Sequence, residues 1–174
     1  ADTGPYAEGF RFSFHVTNGN QSSGAGASDY NSMRYNVEAQ DLATSGWDYT
    51  SASSFITLSF WAKSSVAQNF YGYIKTNDGT AQNYPIETGS LTANTWTKIT
   101  KTIPGNSNIQ IDSDTGLGLQ IYIGQFWGTA FTDSGVTLNQ WATYASGTRM
   151  PDNTSTWWTT NDATFEITGV QLEV

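Results

Sequence analysis

Cysteine is absent from this chain of 174 residues. Disulfides and thiolate metal sites are thereby excluded, while the redox compartment stays open, because a disulfide-free β domain works inside or outside a cell. Positive charge is scarce too: seven Lys and Arg stand against fifteen Asp and Glu, giving a formal net charge of −8. So few cations make no phosphate-tracking stripe, which argues against a nucleic-acid partner. No apolar run approaches the roughly 20 residues that cross a bilayer as a helix, so no membrane insertion is expected. No signal peptide is visible. His15 is the only histidine, and no Gly-x-Ser-x-Gly elbow accompanies it. A serine triad is not expected, and His15 reads as a solvent-facing strand residue.

What fills the chain is neutral. Charged residues are 13% and aromatics 14%, where about 25% charged is usual for soluble domains. Ser, Thr, Asn, Gln and Gly do the solvating. A surface rich in hydroxyls, amides and rings suits uncharged polar ligands such as sugars. The length is that of one domain, residues 1–174, large enough for a core without staples.

Period-two alternation dominates. Phe165 and Ile167 share one parity, and Val170, Leu172 and Val174 share the other. A bulge at Gly169 reconciles them and predicts a long final strand with one core face from end to end. Residues 1 to 9 read as an arm leading into strand one, where Phe10, Phe12, Phe14 and Val16 share a face predicted to be buried. Residues 18 to 29 form a Gly/Ser-rich loop, and Met33, Tyr35 and Val37 mark a half-polar strand. Residues 55–63 follow with Ile56, Leu58, Phe60 and Ala62 on one side. A hairpin spans 69–76 and 81–87 around Asn77-Asp78-Gly79, where Asp-Gly suits a tight turn. Further strands are predicted at 96–103 and from Leu117 to Ile123. Residues 124 to 163 show little periodicity and form a long aromatic-rich loop region of the kind that is often functional. Eight strands without a convincing helix predict an all-β fold, an antiparallel β-sandwich of jelly-roll type with its first and last strands paired.

Four segments occur in order: Thr57-Leu58-Ser59-Phe60-Trp61-Ala62-Lys63-Ser64-Ser65, Asn94-Thr95-Trp96-Thr97-Lys98-Ile99, Ile103-Pro104-Gly105, and Ala163 through Val174. On these the chain resembles the carbohydrate-binding-module-like β-sandwich domain of bacteriophage tail-fibre and minor structural proteins, over roughly residues 33 to 174. The resemblance implies an extracellular location on the virion, in a tail fibre. It also implies homotrimeric assembly with other fibre or tail subunits, and contact with a host surface polysaccharide. It brings no catalytic motif and no cofactor. Related secreted modules hold a structural calcium with an acidic residue in the final strand; here that step reads Ile167-Thr168-Gly169, so no metal is expected from it.

The candidate residues divide by chemistry. Sugar rings pack C–H faces on aromatic rings while their hydroxyls seek amides and carboxylates, which singles out Trp127, Trp141, Tyr144, Trp157, Trp158 and Asn153 in the long loop as ligand-binding candidates. The competing reading is that these rings anchor the loop. On the extended segment expected at Trp157-Trp158, one ring would anchor and the other would be exposed. Trp61, Tyr71 and Tyr73 read as one outward cluster suited to a subunit interface. Asp112 and Asp114 begin like a calcium loop, but Gly116 and Ile123 occupy later ligand positions, so a polar turn is expected. Fifteen acids leave a chance glycosidase pair conceivable, yet none sits in a catalytic motif. The sequence therefore points to a non-catalytic glycan-binding module. The alternatives are a purely structural fibre domain, or a binding module from a secreted polysaccharide-degrading enzyme.

Overall fold

Alternating parity sorts the chain into two layers. The computed structural model describes residues 4–20 and 23–174. Residues 1–3 of the expected arm and 21–22 of the expected Gly/Ser-rich loop lie outside it. Among the described residues the strands are β1 (Phe14–Thr17), β2 (Tyr30–Glu38), β3 (Phe55–Ser64), β4 (Asn69–Thr76), β5 (Gln82–Ser90), β6 (Thr97–Pro104), β7 (Leu117–Trp127), β8 (Ala142–Thr143) and β9 (Thr164–Glu173). One sheet has the order β1-β9-β3-β6 and the other β2-β7-β4-β5-β8. All pairings are antiparallel. The sheets pack as a sandwich, and β1 pairs with β9 as expected.

The core lies between the layers. From β3 come Ile56, Leu58, Phe60 and Ala62, each at most 2% exposed; Phe70, Ile74, Ile86, Leu119 and Phe165 meet them from other strands. Two short α-helices stand where no helix was expected. One, α1 (Ala39–Thr44), inserts Ala39 and Leu42 into the core. The other, α2 (Thr156–Thr159), buries Trp157.

The expected bulge is present in β9. Gly169 has φ +62°, and the register against β3 shifts between Ser59 and Trp61. The apolar face does not stay covered, however. Phe165 is 0% and Ile167 5% exposed, but Val170 is 47% and Val174 65%. The reason is β1, which is shorter than predicted and pairs only with Thr164 to Ile167. Phe14 opposes the buried Ile167 and so points to the core side, yet it is 60% exposed, because it sits on the outermost strand. Phe12 precedes the strand and is 64% exposed. The sandwich consequently gapes between β2 and the second half of β9. Tyr35, Val37, Leu42, Ile121, Val170 and Leu172 line an apolar cleft of about 490 Å³ there.

Along β2 itself the ladder is uninterrupted. Its two register shifts arise because Gln125 and Gly118 of β7 are the extra residues. The edge of the five-stranded sheet is therefore nine regular residues.

Candidate functional site

The long segment after β7 lies over the outer face of the five-stranded sheet and makes a miniature core there. Tyr73, Trp127 and Met150 are its buried members, flanked by Tyr71, Tyr122, Phe131 and Tyr144. Tyr73 and Tyr122 stack with ring centres 4.3 Å apart, and Trp127 stacks on Tyr30 at 5.6 Å. Trp127 fits only because its indole lies over Gly124, where a Cβ would collide with Nε1. The Arg149 guanidinium stands 4.7 Å from the Phe131 ring centre and 5.8 to 5.9 Å from those of Tyr144, Tyr73 and Trp127. A cation among aromatic faces is stabilised by their quadrupoles. Burial pushes the Tyr73 phenol far above its ordinary range, although Arg149 pulls in the opposite direction. Burial also raises Tyr71, reinforced by the Glu87 carboxylate opposite it.

The expected ligand contacts are mostly anchors. Trp141 donates its indole N–H to the Pro104 carbonyl at 2.7 Å and leans on Tyr84 at 5.1 Å. It thereby ties the margin of one sheet to the other. Trp157 is fully buried and donates to the Thr164 carbonyl at 3.0 Å. Trp158 is half-buried against Phe126. One ring anchors, as expected, but its neighbour is half-buried where an exposed ring was expected, and the segment is a helical turn and not extended. Asn153 clamps Trp127, donating to its carbonyl at 2.9 Å and accepting its N–H at 3.4 Å. Tyr144 is half-buried, with the Lys75 ammonium 4.7 Å from its ring centre.

The expected interface cluster is not brought together. Trp61 lies on β3 and Tyr71 and Tyr73 on β4, in different sheets. Since the parity of β3 that carries Phe60 and Ala62 faces the core, Trp61 points out from the opposite side of the sandwich. Trp61 is half-buried and Tyr73 is buried.

At the β5–β8 margin a different site emerges. Asn83 is 2% exposed; its Nδ2 donates to the Arg149 carbonyl at 2.9 Å, and its Oδ1 is buried without a partner. Leaving a buried acceptor unpaired costs about 1–3 kcal/mol. Asn83 lines a cleft of about 390 Å³ whose other walls include Asp133, Gln140, Trp141, Thr143 and Thr148. Thr143 also lines an adjoining cleft of about 330 Å³, with Gln82, Ser107, Asn108 and Gln110. Together they form a groove in which amides and hydroxyls stand beside Asp133, Pro85, Val136 and Trp141. Of the expected ligand residues, Trp141 alone takes part. Asn83 carries no sequence signal, since one amide on a strand of mixed polarity is ordinary until the loop closes over it.

The other candidate chemistries resolve locally. His15 is exposed on β1, its Nδ1 3.8 Å from the Glu166 carboxylate, which pairs with Lys63 at 2.8 Å and accepts from the Ser13 hydroxyl at 3.0 Å. Asp114 accepts the Gly116 N–H at 2.8 Å, and the Asp112 N–H donates to Asp78 at 3.0 Å, so this segment is a turn. Among the described residues no three His, Cys, Asp or Glu side chains converge as a metal site would require. No protein-family model, curated protein or solved structure matches the chain.

Proposed function

We propose that this protein is a non-catalytic glycan-binding module whose site is the β5–β8 groove. The observation that carries the reading is Asn83, whose side-chain oxygen is an acceptor without a donor, at a cleft where Thr137, Gln140, Thr143 and Thr148 stand beside the Trp141 ring and one carboxylate, Asp133. A saccharide offers hydroxyl donors and little charge. A bound hydroxyl, or a water it traps, supplies the donor Asn83 lacks, while Gln140, Thr143 and Thr148 meet further hydroxyls. Asp133 is the single carboxylate lining the groove among the described residues. Glycoside hydrolysis ordinarily calls for two, which favours binding over turnover.

The resemblance to phage tail-fibre modules makes the virion surface the setting and host polysaccharide the ligand. Repeated weak sites on one fibre would then bind by avidity. The strand order supports the finer jelly-roll reading: with β8 set aside, the sheets run β1-β9-β3-β6 and β2-β7-β4-β5, an eight-strand arrangement suited to two Greek keys. A purely structural role is favoured by the burial of Trp127, Trp141 and Trp157, which serve as anchors. A glycan array separates the two. The purified domain binds a restricted polysaccharide set, and Asn83→Ala lowers that binding about tenfold, as loss of one buried hydrogen bond of ~1.4 kcal/mol would. A blank array from folded protein, or an Asn83→Ala variant that binds as well as wild type, rejects the groove.

A further inference from the structure

The free edge of β2 combines two properties. It is regular over nine residues, with the bulges confined to β7. Its side chains also alternate sharply in character. Tyr35 and Val37 oppose the buried Ile121 and Leu119, so they point to the core side; Arg34 and Asn36 oppose Tyr122 and Gln120 on the outer face. Tyr35 is nevertheless 64% exposed, because the sandwich is open at this margin. A regular edge with no neighbouring strand among the described residues, and with an apolar inner face, is a template for another strand.

We propose that β2 is a homodimerisation edge, joining two copies into one continuous sheet through residues 34 to 38, up to the start of α1, across a two-fold axis at Asn36, in place of the homotrimer that the resemblance implies. Residues directly opposite in an antiparallel pair share a face, with Cβ atoms about 4.5–5.5 Å apart. Centring the pair on Asn36 sets Arg34 against Glu38 of the second copy, and Glu38 against its Arg34. Charge complementarity thus appears twice on the outer face. On the inner face Tyr35 meets Val37 of the second copy, again twice. Those are the residues that line the 490 Å³ cleft, which the second copy's Tyr35 ring then covers. A register centred one residue earlier loses both ion pairs, and one centred on Arg34 places like charges together. The same strand supplies both halves, as an isologous interface requires.

Sedimentation equilibrium tests the edge with a charge swap. Wild type self-associates to a dimer. Arg34→Glu and Glu38→Arg each raise the dimer Kd about tenfold or more, by turning two cross-strand attractions into repulsions. The Arg34→Glu/Glu38→Arg double variant returns to within about threefold of wild type. Circular dichroism confirms that each variant is folded. Asn36→Cys provides an independent readout in a chain without cysteine, because opposed Cα atoms at about 4.5–5.5 Å fall within disulfide reach. Oxidation of that variant gives a covalent dimer. A monomeric or trimeric wild type overturns the proposal. So does a dimer indifferent to the single swaps, a double variant that stays dissociated, or an Asn36→Cys variant that does not cross-link.

Discussion

At the scale of the residue, tryptophan in this chain is used chiefly as a peg. Trp141 and Trp157 each bury an indole and donate its N–H to a backbone carbonyl of a neighbouring element. Trp157 also donates its backbone N–H to the Gln68 side-chain oxygen at 2.9 Å. Removing that ring leaves a cavity that rigid neighbours cannot fill. Trp157→Ala lowers unfolding free energy by roughly 3–5 kcal/mol in urea denaturation. Trp158→Ala, half-buried against Phe126, costs only about 1 kcal/mol. Equal losses at the two positions would contradict this division. Adjacent identical residues thus differ in consequence because a helical turn directs one ring into the core and the other along the surface.

At the scale of the element, the final strand turns on one dihedral. Gly169 holds φ +62°, and a Cβ there would meet the Phe10 ring at 2.6 Å. Ala at this position suffers both the left-handed backbone and the clash. Gly169→Ala is expected to destabilise by roughly 1–3 kcal/mol. Amide exchange should quicken first in β1 and in the β9 residues beyond the bulge. Uniform exchange across the sheet would show that the bulge is not where the strain falls. The bulge was legible in the sequence because the switch of parity around Thr168-Gly169 leaves few other solutions. So were β3 to β7, which alternation places close to where they stand, although β5 and β7 are buried on both faces because the segment after β7 covers the outer one. Strand one misled because parity reports which face a residue points to, not whether anything lies over it. Phe14 keeps the predicted alternation on the outermost strand, where it is little covered, and Phe12 precedes the strand. The helical turns α1 and α2 were too short for a 3.6-residue period to register. The grouping of Trp61 with Tyr71 and Tyr73 failed because neighbours in sequence, β3 and β4, were assigned to different sheets. Alternation carries no information about that assignment. Asn83 was illegible for a related reason: its site exists only where β5, β8 and the segment after β7 meet.

At the scale of the molecule, two separate cores each bury a phenol. Tyr73 lies in the miniature core on the outer face, and Tyr84 in the main core, where burial also raises its phenol. An unfolded tyrosine ionises near 10. Both folded phenols ionise later, so the unfolded chain gives up these protons first. Their contribution to stability is complete below about pH 10 and is lost as pH rises through the folded values. Urea midpoints should be flat from pH 8 to about 9.5 and fall beyond 10. Tyr73→Phe should show a shallower alkaline fall than wild type. A wild-type midpoint unchanged at pH 11, or an identical fall in the variant, would contradict this assignment.

The β5–β8 groove has walls of unequal standing. Its floor, Gln82 and Asn83, belongs to a strand whose next residue, Tyr84, is core. Its roof, from Asp133 to Thr148, belongs to a segment held by its own rings and by Arg149. Substitutions in the roof, Trp141 apart because it reaches the main core and the Pro104 carbonyl, leave the sandwich intact, whereas those in the floor threaten it. Under selection to follow a changing ligand, variation therefore accumulates in the roof while the floor is inherited, and a library randomised over residues 133–148 with Trp141 and Tyr144 kept would sample new specificities on an unaltered scaffold.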